Sequence, residues 1–164
     1  MAILPILRYP DPRLRQPCRA VETFDARLAQ LADDLAATMR AAPGIGITAA
    51  HVGILERLTV IELDGPASLR VYVNPHVEWF SPERQRHAEG SVSMPGVTDE
   101  VERPARIRLA YRDLSGASHT EEADSLLSVC LQHEIDQLDG IFWIDRLSRL
   151  KRERIVKKFR KLDA

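Results

Sequence analysis

The sequence predicts an α+β fold in which antiparallel or mixed strands pack around a central helix. Three observations support this prediction. Helical apolar patterns lie near the start of the chain and in its last third, β-rich runs gather between them, and no strand–helix–strand unit repeats along the 164 residues. A chain of this length is expected to form one domain, residues 1–164, with a central helix flanked by an N-terminal and a C-terminal helix.

Bulk composition favours an ordinary globular protein and excludes several other classes. The chain is 45% hydrophobic and 29% charged, with a formal net charge of −1. This balance gives no general reason to expect nucleic acid as a partner. No apolar run approaches the ~18 residues of a membrane span. The only two cysteines, Cys18 and Cys130, are too few for a disulfide scaffold, so we expect a cytoplasmic protein with reduced thiols.

The N-terminal third should contain an arm and then a helix. "LRYPDPRLR" (7–15) is rich in proline and aspartate, which predicts an extended, turn-rich arm. Apolar residues then recur every three or four positions, and this helical pattern ends before Pro43 and Gly44. The positions are Phe24, Leu28, Leu31, Leu35 and Met39.

Three β-rich runs are predicted to be strands. "LTVIEL" (58–63) and "RVYVN" (70–74) are separated by Asp64-Gly65-Pro66, a strong turn signal. "ARIRLAYRD" (105–113) alternates polar and apolar residues, which is typical of a half-buried strand.

Two further helices complete the predicted fold. One should run from Asp124 to about Asp139, with Gly140 at its C-terminal cap. Ser148 could cap the N-terminus of the last helix. That helix is expected to pack through an apolar side formed by Leu150, Ile155, Phe159 and Leu162.

Three short stretches could carry chemistry, although each also has an ordinary structural interpretation. "GIGITAAHVG" (44–53) is typical of a loop between a helix and a strand, and "EGSVSMPG" (89–96) of a turn with two incidental serines. "LQHEIDQLDG" (131–140) places His133 and Gln137 on one helix face with Glu134 beside them. Two histidines at this spacing would complete a zinc-hydrolase motif, but Gln137 breaks the pattern, and a lone buried histidine is usually structural.

Taken together and in this order, the three stretches resemble the signature motifs of the peptide deformylases. The family pattern is G-x-G-x-A-A-x-Q, E-G-C-x-S and Q-H-E-x-D-H, and the corresponding stretches here are "GIGITAAH", "EGSVS" and "QHEIDQ". The resemblance extends over the N-terminal arm and nearly all of the C-terminal half. It implies a fold with a substrate cleft, and hydrolysis of the formyl group from N-terminal formylmethionine of nascent chains. It also implies an Fe²⁺ or Zn²⁺ ion held by one cysteine and two histidines.

The resemblance assigns an expected role to each matching residue. Glu134 corresponds to the general acid/base, and His51 occupies the position of the glutamine that stabilises the oxyanion. The metal-ligand positions are Ser91, His133 and Gln137. The substrate-binding positions are Ile45, Gly46, Glu89, Arg103 and Val129, with Cys130 beside Val129 in the methionine pocket.

The departures from the family pattern fall on the chemistry itself. A serine hydroxyl and a glutamine carbonyl are weak substitutes for a thiolate and an imidazole, so only His133 remains a strong ligand. We therefore expect that a metal is absent or weakly bound, and that deformylase activity is small or lost. Without the ion, the attacking water and the formyl carbonyl are no longer activated.

Two enzymatic alternatives stay open at this point. His51 and His133, with Glu134, could hold a metal in a rewired hydrolase site. A metal-free enzyme could instead use Ser91 as nucleophile and a histidine as base.

A third alternative is a module that binds the ribosome or RNA through residues 146–161, which contain nine Lys/Arg against one Glu. A solvated helix face explains the same charges, so specific nucleic-acid binding is not expected. The expected partner is a formyl-methionyl peptide or the N-terminus of a nascent chain, bound by a monomer that does not enter a membrane.

Overall fold

A computed structural model describes residues 1–163 and contains three α-helices at the predicted places. They are α1 (Ala26–Ala41), α2 (Ser125–Leu138) and α3 (Arg149–Asp163). The Asp25 side chain caps α1 by accepting a hydrogen bond from the backbone N–H of Leu28. None of the helices in this part of the chain is long and apolar enough to cross a membrane. The α+β prediction is confirmed.

Seven strands form two antiparallel sheets. A five-stranded sheet has the order β1-β2-β3-β6-β7, and β4 pairs with β5 in a separate hairpin. The strands are β1 (Gly46–Thr48), β2 (Leu58–Ile61), β3 (Arg70–Phe80), β4 (Arg84–Ser91), β5 (Met94–Pro104), β6 (Ile107–Arg112) and β7 (Ser118–Ala123).

The sequence pattern located three of these strands and missed four. The strand predicted over 70–74 continues to Phe80, because shifts in pairing register after Val73 and Val77 let the chain pass Pro75 and stay paired to β6. The stretches interpreted as loops also need correction. Residues 44–53 contain β1 and a short 3₁₀ helix, and residues 89–96 span the tight connection between β4 and β5.

The central helix α2 lies between the sheet and the hairpin. Every residue from Ser128 to Leu138 is buried, including six with polar or charged side chains. One side of α2 packs against apolar side chains of the large sheet, through Leu131 and Ile135. Helix α1 packs against β1 and β2 in a second core. Because α2 is enclosed on all sides, its polar side chains must find partners inside the protein.

Helix α3 packs against β5 through a narrower face than the sequence predicted. Ser148 caps it as expected, accepting from the backbone N–H of Lys151 at 3.3 Å. Ile155 and Phe159 are buried, whereas Leu150 and Leu162 are 65% and 59% exposed. The expected four-residue apolar side is therefore corrected. Leu150 lies about 140° around the helix from Ile155, and Leu162 lies in the last turn, beside Gly96.

The N-terminal arm and the end of α2 are in close contact. The arm contains a 3₁₀ turn at Pro12–Arg15, and the Cys18 N–H donates to the Leu138 carbonyl at 2.8 Å. Gly140, after α2, has a φ of +80°, and a Cβ built on it would lie 2.8 Å from the Arg15 carbonyl oxygen. Only glycine accommodates both the positive φ and the close approach of the Arg15 carbonyl without strain.

We predict that Gly140→Ala destabilises the protein more than Gly65→Ala does. Both glycines have a positive φ, but a Cβ at Gly65 would have no neighbour within 4 Å. Gly65→Ala should cost about 1–3 kcal/mol in unfolding free energy, from backbone strain alone, because a φ of 85° with a ψ of 176° is a conformation that L residues rarely adopt. Gly140→Ala should cost at least about 1 kcal/mol more, because the arm must move. Equal losses in chemical denaturation would contradict the close contact.

Candidate functional site: a cleft beside the central helix

The three sequence stretches meet at one cleft of about 390 Å³ between β1, the β4–β5 hairpin and α2. Its lining contains most of the predicted site residues. They are Ile45, Gly46, His51, Glu89, Ser91, Val129, Cys130, His133 and Glu134. Two predicted residues, Arg103 and Gln137, are not among the lining residues. Nine of the eleven predicted site residues therefore lie together at the cleft, and these two do not.

A buried chain of ion pairs orients His133. Its Nδ1 lies 2.8 Å from Glu89 Oε1. Arg103 donates to both oxygens of Glu89, at 2.6 and 2.9 Å, and to Asp136 at 2.9 Å. Arg146 in turn donates two hydrogen bonds to Asp136. The imidazole is thereby fixed with Nδ1 toward the carboxylate and Nε2 on the other side of the ring.

These contacts determine the charge states of Glu89 and His133. Burial alone would raise the pKa of Glu89, but the hydrogen bonds from His133 and Arg103 outweigh it and lower the pKa to about 2. Burial alone would lower the pKa of His133, but the bond to Glu89 and the nearby Glu134 raise it. Glu89 is therefore an anion near neutral pH, and His133 is poised to carry a proton.

Glu134 faces the cleft without a complete set of partners. Its Oε1 lies 3.7 Å from His133 Nε2, and its buried Oε2 has no hydrogen-bond partner within residues 1–163. Burial raises the pKa of Glu134 to about 7, against the lowering effect of His133. Gly46 lets β1 approach this carboxyl group, since a Cβ there would be 3.3 Å from it.

His51 is held by Thr48. The backbone N–H of Thr48 donates to His51 Nδ1 at 3.0 Å, and the Thr48 hydroxyl lies 3.0 Å from the same nitrogen, a pair of contacts that favours the ring hydrogen on Nε2. Burial, reinforced by His133, lowers the pKa of His51 to about 3. Its Nε2 is buried and has no partner in the described chain. His51 is thus a neutral side chain whose N–H is an unused donor.

Ser91 and Gln137 both bind backbone groups. Ser91 Oγ accepts from the Ser93 N–H at 3.1 Å, and Gln137 Nε2 donates to the Leu14 carbonyl at 2.7 Å. Gln137 is 2% exposed and contacts the N-terminal arm. The expectation that Gln137 joins His133 and Ser91 at the cleft is therefore corrected. Its amide contacts the arm because the Leu14 carbonyl supplies a strong acceptor there.

Arg103 also needs a corrected role. It was expected to contact a bound peptide, but it is 4% exposed and its guanidinium is engaged by Glu89 and Asp136. Arg103 stabilises the site through Glu89 and Asp136 and does not itself line the cleft. No sequence pattern indicates a role for Thr48, Asp136 or Arg146, because their contributions depend on contacts formed only in the folded chain.

One wall of the cleft is apolar. It includes Val92, Val97, Leu126 and Val129. Cys130 belongs to the same wall, where burial, helped by Glu134, raises the pKa of its thiol to about 12. The cysteine is therefore a neutral thiol rather than a nucleophile or metal-binding thiolate. No group of three or more His, Cys, Asp or Glu side chains in residues 1–163 is arranged to hold a metal ion.

Comparisons with known proteins agree with the motifs. The polypeptide deformylase family model matches residues 3–153. A "Peptide deformylase-like" protein of Brucella suis is 62% identical over 99% of both chains. A "Peptide deformylase" of the same strain is 44% identical over 99% of this chain and 94% of its own. The crystal structure of a peptide deformylase from Legionella pneumophila has a TM-score of 0.93 and 37% identity, covering 99% of this chain and 96% of that one.

We predict that Arg103→Ala lowers the unfolding free energy by about 3–5 kcal/mol, because it removes one cation from two buried carboxylates and leaves Glu89 with only His133 and Asp136 with only Arg146. Arg106→Ala is the matched control. Its ion pair with Glu83 is more than half exposed, and its loss should have a small effect. Similar stability of the two variants in urea denaturation would contradict the supporting role of Arg103.

A second prediction concerns acid stability. His51 has an unfolded pKa of 6.5 and a folded pKa of about 3. Between these values the unfolded chain binds the extra proton, so stability falls as the pH drops from about 6.5 toward 3. At pH 4 this effect is about 3 kcal/mol relative to pH 7. His51→Gln should therefore lose less stability on acidification. Denaturation series at pH 7 and 4 test this, and equal losses would refute it.

Proposed function

Because the chain belongs to the polypeptide deformylase family, we propose that it is a deformylase-like protein whose cleft binds the N-terminus of a polypeptide without a catalytic metal. Deformylase activity is then small or lost. The natural partner is a formyl-methionyl peptide or a nascent chain, bound by a monomer.

The observation that carries the proposal is the bond from Gln137 to the Leu14 carbonyl. The family holds its ion with one cysteine and two histidines, and Gln137 stands at the second histidine's position. Its carbonyl would be a poor ligand even at the cleft, and its amide is instead used to hold the N-terminal arm. The residues present do not fit the family's metal.

The state of Ser91 supports the same conclusion. Its hydroxyl is not ionised near neutral pH, and its Oγ already accepts from the Ser93 N–H. It replaces a thiolate, which is the strongest zinc or iron ligand of the family set. Of the three ligand positions, this leaves His133 alone with a strong donor facing the cleft.

The tautomer of His51 opposes the rewired metal site. A histidine that binds metal through Nε2 must carry its hydrogen on Nδ1. That tautomer would turn the Nδ1 hydrogen toward the Thr48 hydroxyl, 3.0 Å away, and would cost the hydrogen bond that Nδ1 accepts from the Thr48 N–H. The serine-nucleophile alternative has no support either, since the described chain contains no hydrogen bond from Ser91 to a histidine; its recorded partner is Ser93.

The comparisons supply independent support. The same strain of Brucella suis has one protein called peptide deformylase-like and another called peptide deformylase, and this chain is more similar to the former, at 62% against 44% identity. Two proteins with different names in one bacterium are consistent with a division of roles.

The basic helix α3 is not proposed as a nucleic-acid site. It contains eight Lys/Arg and two acidic residues, but its buried side is explained by Ile155 and Phe159. Its charged residues otherwise form a solvated face.

Metal analysis tests the proposal directly. Protein purified without added metal should contain far less than one equivalent of zinc or iron, and should not measurably hydrolyse a formyl-methionyl peptide. Stoichiometric, chelator-resistant metal, or turnover similar to that of a family deformylase, would refute it.

Restoring the family ligands should restore metal binding. Ser91→Cys with Gln137→His supplies a thiolate and a second imidazole near His133, which completes three protein ligands. Deformylation should return weakly, because His51 still occupies the position of the family's oxyanion-stabilising glutamine, where one lost donor can cost ~10²–10³ in turnover.

The control makes the same two changes at neighbouring buried positions outside the cleft. Ser93→Cys with Gln132→His introduces a cysteine and a histidine that do not line it. This variant should bind no more metal than the unmodified protein. If the folded ligand-restored variant also binds none, the region around Gln137 has been rebuilt for another purpose.

A further inference from the structure

The N-terminal arm, residues 7–15, is hydrogen-bonded to each of the three stretches that meet at the cleft. Three backbone groups of the arm each bond one residue of one stretch. The pairs are the Leu7 N–H with the His51 carbonyl at 2.7 Å, the Tyr9 N–H with the Ser93 carbonyl at 2.8 Å, and the Leu14 carbonyl with Gln137 Nε2 at 2.7 Å. The second pair holds the tip of the β4–β5 hairpin, residues 91–94, and the third holds α2.

The part of the arm between Tyr9 and Leu14 is short and internally bonded. The Asp11 side chain accepts from the Arg13 N–H at 2.9 Å, and the Leu14 N–H donates to the Asp11 carbonyl at 3.1 Å. Leu14 is 1% exposed and belongs to the same apolar core as Met94 at the start of β5. Because this turn cannot lengthen without losing these bonds, it fixes the distance between the hairpin tip and α2.

The family's ion joins the same two elements. Its ligand positions correspond to Ser91 at the hairpin tip and to His133 and Gln137 on α2, so a bound ion cross-links hairpin and helix. The residues present do not fit that ion, since Ser91 Oγ accepts from the Ser93 N–H and Gln137 bonds the arm. The ion pairs of Arg103 connect α2 with the strands of the hairpin, whereas the arm connects α2 with its tip.

We propose that the arm is a strap that replaces the family's ion as the cross-link between the hairpin tip and α2, and that Gln137 attaches the strap to the helix. This inference rests on the proposed function, namely a cleft without a catalytic metal. It adds the means by which such a cleft keeps its shape, because the wall at residues 91–94 stays in place while the arm is docked. Gln137 is then a positioning residue for a cleft that it does not line.

Amide hydrogen exchange tests the strap. The reporters are the amides of Tyr9, on the arm, and Ser93, on the hairpin, and each is compared with amides of β2 in the core. Gln137→Met keeps the length of the side chain and removes the donor to Leu14. Both reporters should then exchange about tenfold faster or more relative to the core, as expected for the loss of one hydrogen bond to a buried carbonyl. A contact that stabilised only its own neighbourhood would not change the exchange of Ser93.

Gln132→Met is the matched control. Gln132 is also a buried glutamine of α2, and its Nε2 donates to the Pro104 carbonyl at 2.9 Å instead of to the arm. This variant loses a comparable hydrogen bond, so it controls for general destabilisation of α2. The exchange of both reporters relative to the core should stay unchanged.

A second pair of variants applies if Gln137→Met fails to fold. Asp11→Ala removes the acceptor of the Arg13 N–H and loosens the turn within the arm, at a partly exposed position. Both reporters should exchange about threefold faster or more. Asp25→Ala is its control, since it removes the corresponding bond to the Leu28 N–H at the start of α1 and should leave the reporters unchanged relative to the core.

The outcomes separate the strap from the proposed function. In the unmodified protein, a chelator should leave the protection of both reporters unchanged. Loss of protection on chelation, or stoichiometric metal in the same sample, would overturn the proposed function and the strap with it. If the protein is free of metal and Ser93 is equally protected in Gln137→Met and Gln132→Met, the strap is overturned while the proposed function stands.

Discussion

The buried guanidinium of Arg103 connects the parts of the structure that form the cleft. Glu89 lies on β4, Arg103 on β5 and Asp136 on α2, so the two ion pairs of Arg103 join the separate hairpin to the central helix. The same Glu89 carboxylate orients His133. With Arg146 included, two cations face two anions, and the cost of burying each charge is offset by direct hydrogen bonds. The position of the cleft wall and the direction of the histidine therefore depend on one set of contacts.

This support does not depend on the residues that distinguish the chain from the family pattern. The three differing positions each bind a backbone group: Ser91 binds the Ser93 N–H, Gln137 the Leu14 carbonyl, and His51 the Thr48 N–H. Each contact gives one polar atom of the side chain a partner within the protein, without a ligand in the cleft. The scaffold can accordingly persist while the groups that would hold an ion change. The two unpaired atoms, on His51 and Glu134, are what the cleft still offers to a bound molecule.

The sequence was informative where a feature depends on local periodicity or on an ordered motif. The apolar repeat of α1, the turn at Asp64-Gly65-Pro66 and the cap of α3 at Ser148 are local, and the structure contains all three. Strands β4 and β7 were missed because their segments, "RQRHAEGS" and "SHTEEA", are mostly exposed and carry little apolar alternation. The role of Arg103 could not be predicted from the sequence either, since its partners lie 14 and 33 residues away in the chain.

Gln137 shows most clearly why a motif position does not determine a side chain's role. Helical spacing places residues 133 and 137 on one face, which is correct for the backbone. However, α2 is enclosed on every side, and over one turn of about 5.4 Å its surroundings change from the cleft to the N-terminal arm. A histidine held by a metal would face the cleft, whereas a glutamine amide can equally use a carbonyl on the other side. Here that carbonyl belongs to Leu14, 123 residues away in the chain. The partner available to residue 137 thus decides whether this turn of α2 serves a metal site or anchors the arm.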